Sequence, residues 1–98
     1  MDVVFEDESL KKLEEDPTYD AGFERAIVRT YRMRLQFIRA SQDERDFYKM
    51  KSLHYKKLKG DREGQHSMRL NKQWRLILKL RKEDSGKLVV VISIGDYH

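Results

Sequence analysis

Ninety-eight residues, 39% hydrophobic and 39% charged with a net charge of +4, set the bounds of a single globular domain with little apolar surface to spare. That composition excludes a disordered chain, the lack of cysteine excludes a disulfide framework or a thiolate zinc site, and no apolar run reaches membrane-spanning length. The charge is segregated: residues 1–22 hold eight acids against two lysines, while residues 51–82 hold eleven Lys or Arg against Asp61 and Glu63. Such a basic block is the footprint of a polyanion partner, nucleic acid above all, with a plain solvated face as the alternative.

In chain order, residues 2–5 read as a short strand and residues 8–16 as a short helix, with Leu10 and Leu13 three apart and Pro17 as its stop. The acidic start, MDVVFEDES, does not read as a secretory signal, so a cytoplasmic location is expected. Residues 20–41 carry the strongest helical pattern. Ile27, Val28, Tyr31, Leu35 and Ile38 form an apolar stripe, and Arg25, Arg29, Arg32 and Arg39 recur on another face. That arginine face is expected to be solvated, with a second RNA-contacting surface as the alternative. Residues 41–64 are polar with scattered aromatics and read mainly as loop, with room for one helical turn.

Three strands follow, over residues 65–70, 73–81 and 86–94. The middle one alternates Trp74, Leu76, Leu78 and Leu80 with Arg75, Ile77, Lys79 and Arg81, which places Trp74 in the core. A two-residue turn between the first two strands would mix their faces. A three-residue loop, Asn71 to Gln73, instead pairs Leu70 with Trp74 and Met68 with Leu76, and sets Arg69 directly across from Arg75. Like charges facing each other are destabilising unless an anion lies between them. Arg69, Arg75 and Lys79 on one solvent-facing side therefore read as a phosphate-binding surface. The last strand is apolar on both faces, and a central position is expected for it.

A metal-dependent nuclease needs clustered carboxylates. The basic half offers Asp61, Glu63, Glu83, Asp84 and Asp96, four of them in loops or turns, and His66 reads as structural, so neither a metal site nor a cofactor is expected. Without a metal, cleavage of a phosphodiester requires a nucleophile within the substrate, and RNA carries one in its 2′-hydroxyl. The protein must then supply a base, an acid and cations for the developing charge. Beyond Gly95 come Asp96, Tyr97 and His98, an acid, a phenol and an imidazole. On the residues alone, a catalytic trio and a frayed tail both remain open readings.

The segments LKGDR (Leu58–Arg62), SMRLNKQWR (Ser67–Arg75) and the closing DYH (Asp96–His98) resemble, in order and spacing, those of the HigB toxins of the RelE superfamily. The likeness is detailed in the C-terminal half and rests on pattern in the N-terminal half. It implies an α+β, RelE-like microbial ribonuclease fold over residues 1–98, with two N-terminal helices packed on a mixed, mainly antiparallel sheet. It implies a bacterial, cytoplasmic ribonuclease that cuts mRNA on the ribosome and is neutralised by a HigA-like helix-turn-helix antitoxin. By the same resemblance Asp96, Tyr97 and His98 take the acid–base work, Arg75 the phosphate, and Lys59 a second cation. His54, Lys56, Lys57, Arg62, Arg69 and Lys79 complete an RNA-binding set. Some relatives carry a histidine where this chain has Lys56; here His54 stands two residues earlier. A non-catalytic RNA- or ribosome-binding module on the same basic face is the competing reading.

Overall fold

The computed structural model describes residues 1–62 and 64–96. The chain runs β1 (Val3–Phe5), α1 (Glu8–Glu15), α2 (Arg25–Ala40), α3 (Arg45–Lys49), β2 (Lys56–Lys57), β3 (His66–Arg69), β4 (Trp74–Glu83) and β5 (Gly86–Asp96), with 3-10 turns at Lys51–Leu53 and Gly60–Arg62. Among the described residues three α-helices accompany a five-stranded sheet of order β1-β5-β4-β3-β2, in which β1 and β5 pair in parallel and the other neighbours antiparallel. The class is α+β, with a mixed, mainly antiparallel sheet. Among the described residues no helix is long and apolar enough to cross a membrane.

Alternation in β4 decides the layering. Leu76 and Leu78 are buried with Met68 and Leu70 of the hairpin, Val89 and Val91 of β5, and the apolar stripes of the helices. That core includes Leu10 and Leu13 from α1, Phe47 from α3, and Ile27, Val28, Tyr31, Leu35 and Ile38 from α2. The β3–β4 register is the expected one, with Met68 opposite Leu76 and Arg69 opposite Arg75. The Leu70 N–H donates to the Trp74 carbonyl at 2.9 Å, closing a three-residue loop. Asn71 holds that loop by accepting from the N–H groups of Gln73 (2.8 Å) and Trp74 (2.7 Å).

Four expectations need correction. Helix α2 begins at Arg25 rather than near Asp20, because Ala21 and Gly22 adopt left-handed backbone at φ 53° and 84°. Their turn brings Phe23 edge-on to Trp74, with ring centroids 5.5 Å apart. Residues 41–64 hold the expected helical turn, as α3, but also an edge strand of two residues, too short for periodicity to reveal. Strand β5 is not central but second from the edge, between β1 and β4. It is buried on both faces all the same, Val89 and Val91 toward the helices and Val90, opposite Lys79, away from them.

The fourth concerns the arginines of α2. Arg25 and Arg29 are exposed, as a solvated face requires. Arg32 instead donates to the carbonyls of Leu13 (2.9 Å), Asp16 (2.9 Å) and Tyr19 (3.2 Å), satisfying the C-terminal end of α1 and the turn beyond it. Arg39 grips Glu14 of α1 through two bonds, at 2.9 and 2.8 Å. Half of this stripe locks helix to helix.

Candidate functional site

On the sheet face turned away from the core, register alone assembles a row. Directly opposed residues in antiparallel strands share a face, so Lys56, Ser67, Ile77 and Ser93 line up beside Arg69, Arg75 and Gly95. Arg75 is not exposed, as its polar-face position had suggested, but buried, with 9% of its surface accessible. Its Nε donates to the Ser67 hydroxyl at 2.8 Å and its Nη2 to the His54 main-chain carbonyl at 2.5 Å.

His54 ends the 3-10 turn Lys51–Leu53 in left-handed backbone, φ 46° and ψ 46°, and its N–H is held by the Lys51 carbonyl at 3.1 Å. Its imidazole Nε2 lies 3.2 Å from Nη1 of Arg69. A guanidinium only donates, so in this contact Nε2 is the acceptor. Arg69 also donates from Nε to the Asn71 carbonyl at 3.2 Å, and its own carbonyl accepts from Arg34 of α2 at 3.1 Å. The two facing guanidiniums are thus accommodated by one residue. The His54 carbonyl engages Arg75 and its ring engages Arg69.

The structure gathers only part of the expected set on this face. Lys56, opposite Ser67, belongs to it; Lys57, opposite His66, points the other way. Lys79 lies further along the row and pairs with Glu6 at 3.3 Å. Lys59 and Arg62 are exposed in the β2–β3 connection, whose ends are tied by Leu58 N–H to Gln65 O and Gln65 N–H to Arg62 O, each 2.9 Å.

Asp96 stands opposite Trp74, on the helix side, where its Oδ2 accepts from the Gln73 amide at 3.0 Å. The cause is a bulge. Ile77 faces Ser93 and Leu78 faces Val91, so Ile92 is the extra residue and the alternation of β5 inverts beyond it. Ile94 thereby joins the core side, and Asp96 follows it. Tyr97 and His98 lie outside the described residues.

His66, read as structural, hydrogen-bonds through Nδ1 to the hydroxyl of buried Tyr55 on the core side. Burial lowers the His66 pKa, nearby Lys57 lowers it further, and Glu44 opposes both. The residue that motif reading passed over is Ser67. It is fully buried, and its place in the Arg75 row was already implied by the hairpin register.

A family model for HigB-like toxins, described as RelE-like toxins of type II toxin–antitoxin systems, matches residues 3–98. A search among curated proteins returns no match. Among solved structures, a YoeB/ParE toxin from Agrobacterium tumefaciens is similar with a TM-score of 0.61 at 19% identity, covering 100% of both chains. The YoeB–YefM complex from Staphylococcus aureus gives 0.61 at 18% identity, covering 100% of this chain and 97% of that one. A YafQ mutant from E. coli gives 0.57 at 14%, covering 97% and 91%. At such identities the structures speak for the fold alone. With the family model spanning nearly the whole chain, the protein belongs to the HigB-like family of RelE-like toxins of type II toxin–antitoxin systems.

Proposed function

We propose that this toxin is a metal-independent endoribonuclease that cuts mRNA on the translating ribosome and so halts protein synthesis in the bacterial cytoplasm. The observation that carries the reading is Arg75, a guanidinium held by the Ser67 hydroxyl and the His54 carbonyl, with Arg69 directly opposite and touching the His54 imidazole. A phosphoryl group seated there would meet oriented donors where charge develops. Among the described residues no group of three His, Asp or Glu side chains is placed to hold a metal ion. The substrate's own 2′-oxygen then attacks phosphorus, the 5′-oxygen leaves, and a 2′,3′-cyclic phosphate results. Arg75 and Arg69 carry the phosphorane charge, with Lys56 on the same face and Lys59 as a further cation.

Asp96, Tyr97 and His98 are assigned the proton transfers by the family resemblance, and His54 is a further candidate for one of them. Arg62, exposed in the β2–β3 connection, and Lys79, further along the row, are the proposed contacts to the RNA backbone; Lys57, on the opposite face, would meet RNA only beyond that row. A HigA-like helix-turn-helix antitoxin is the proposed partner; family membership supports it, as does the fold shared with a toxin solved in complex with YefM.

The test uses an RNA with a single deoxynucleotide on the 5′ side of the scissile bond, in the presence of chelator. Cleavage of the all-RNA strand should persist in chelator and leave a cyclic or 3′-phosphate end. The deoxy substitution should abolish cutting while barely weakening binding, since phosphate contacts dominate affinity. Cutting of the substituted strand, or a 3′-hydroxyl product, would overturn the mechanism. Binding of the unmodified RNA without cleavage would favour the non-catalytic module.

A further inference from the structure

We propose that Ser67 is a positioning residue whose hydroxyl sets the plane of the Arg75 guanidinium, an inference that rests on the ribonuclease reading for its catalytic consequence. Arg75 has a like charge directly across the ladder, which pushes it away from the place where a phosphate must be met. The Ser67 hydroxyl at Nε and the His54 carbonyl at Nη2 both hold one edge of its fork. Two anchors along one edge of a planar ion fix its orientation as well as its position. Orientation is what distinguishes a guanidinium from a point charge in gripping phosphoryl oxygens.

The site on the Ser67 side is built for this purpose. Ser67 is wholly buried in β3, flanked on its own face by Lys56 and Ile77, where a serine hydroxyl would otherwise be an expensive group to enclose. Its oxygen is engaged by Arg75, and a nonpolar residue of similar size would leave a buried N–H unmet. The anchor is also independent of the loop bearing His54, since Ser67 sits in the sheet itself, one residue removed from Met68 of the core. Site geometry borne by strands is held more tightly than geometry borne by loops.

The test has two readouts. In an NMR experiment on the full chain, the Arg75 Nε–H signal should be resolved and slowly exchanging, and Ser67→Ala should make it exchange with solvent at least tenfold faster while Ser67→Thr retains protection. In cleavage of single-stranded RNA, Ser67→Ala should lower kcat by roughly tenfold to a hundredfold, the scale on which small misplacements act. KM and the salt dependence of binding should stay as they are, because the charge of Arg75 remains. Adding Ser67→Ala to Arg75→Ala should cost nothing further, since the serine would have nothing left to position.

Unchanged Nε–H exchange and unchanged kcat in a folded Ser67→Ala protein would overturn the inference. So would an equal loss of kcat in the Arg75→Ala background, which would mark Ser67 as acting on its own. Should Ser67→Ala fold poorly, Ser67→Cys provides a weaker acceptor in nearly the same volume, and intermediate exchange and kcat are then expected, whereas wild-type values would count against the role. If the wild-type chain shows no RNA cleavage while Nε–H protection depends on Ser67, the ribonuclease reading falls and the positioning role stands.

Discussion

Arginines crowd two regions of this chain, helix α2 and the β3–β4 hairpin, and they are used in opposite ways. In α2, Arg32 caps the end of α1 and Arg39 closes on Glu14. Those partners are main-chain carbonyls at the negative end of a helix and a carboxylate, so the charge is met within the fold. In the hairpin, the described partners of Arg75 are a hydroxyl and a carbonyl, and Arg69 meets an imidazole and a carbonyl. These contacts orient the two guanidiniums on the sheet face turned away from the core. The same residue type joins helix to helix in one place and lines one sheet face in the other, and the difference lies in where packing sets its acceptors. A count of charges along the sequence cannot register it.

The sharpest way to break that comparison is to remove one arginine from each region and measure both activity and stability. Arg75→Ala should lower RNA cleavage by on the order of a hundredfold or more, the usual scale for losing a donor to developing charge. Arg75→Lys should not restore it, because an ammonium cannot reproduce the fork that Ser67 and His54 hold. Arg75→Ala should also destabilise the fold, by about 1–3 kcal/mol, since a buried hydroxyl and a carbonyl lose their donor. Relief of the Arg69–Arg75 repulsion works in the other direction but is the smaller effect, because a cross-strand pair contributes only about 0.2–1 kcal/mol. Full cleavage by folded Arg75→Ala protein would put the phosphate elsewhere.

Arg32→Ala should show the converse. Three carbonyls lose their donor, and a cost of about 2 kcal/mol, or a Tm lower by roughly 10 °C in a domain of this size, is expected. Cleavage per folded molecule, measured well below the new Tm, should not change. A large loss of activity at unchanged stability would move α2 into the RNA-binding surface and erase the contrast between the two regions.

What could be read beforehand follows the same division. The hairpin register was legible because alternation in β4 and a three-residue loop leave only one pairing that keeps Leu70, Trp74, Met68 and Leu76 together. The stripe of α2 was legible because five apolar residues, Ile27 to Ile38, repeat at helical spacing over about three turns. Helix α3 has five residues and β2 has two, lengths at which no period can be counted. The bulge at Ile92 carries no glycine or proline to announce it, yet it decides which face Asp96 occupies. The burial of Arg75 depends on the left-handed turn at His54, twenty-one positions away, and the role of Arg32 depends on where α1 docks. Local pattern gives the elements; groups brought together by tertiary packing decide what the charges do.

His66 shows a third fate for a cationic side chain, one in which the fold favours its neutral form. Its pKa is lowered by burial first and by Lys57 second, so the unfolded chain takes up a proton more readily than the folded one. The stability tied to the neutral imidazole is therefore fully present above the ordinary value of 6.5 and is lost as pH falls from there through the folded-state value. A declining Tm over that acidic range is expected, and it should be flatter in His66→Gln, which has no charge to acquire. The Tyr55 bond makes the same point locally, since Nδ1 accepts from the hydroxyl only while the ring is neutral at that nitrogen. Equal pH slopes for the two proteins would assign the acid sensitivity to other groups.

The smallest effect belongs to the Arg39–Glu14 pair, and it bounds what an ion pair in the structural region contributes. Its geometry is favourable, with two parallel bonds at 2.9 and 2.8 Å joining α2 to α1. Its setting is not, because the Arg39 side chain remains 44% exposed and water screens much of the attraction. Glu14→Gln keeps the length and one acceptor while removing the charge, so a loss of about 0.5 kcal/mol is expected at low salt, a Tm change of roughly 2–4 °C. In 1 M salt, where charges a few ångströms apart are already screened, wild type and variant should nearly coincide. Arg32→Ala, whose partners are uncharged carbonyls, should keep its full penalty at that salt concentration. If Glu14→Gln instead costs as much as Arg32→Ala and is insensitive to salt, the lock between α1 and α2 is electrostatic and desolvated, and the carboxylate rather than the carbonyls is what commits the helix arginines to structure.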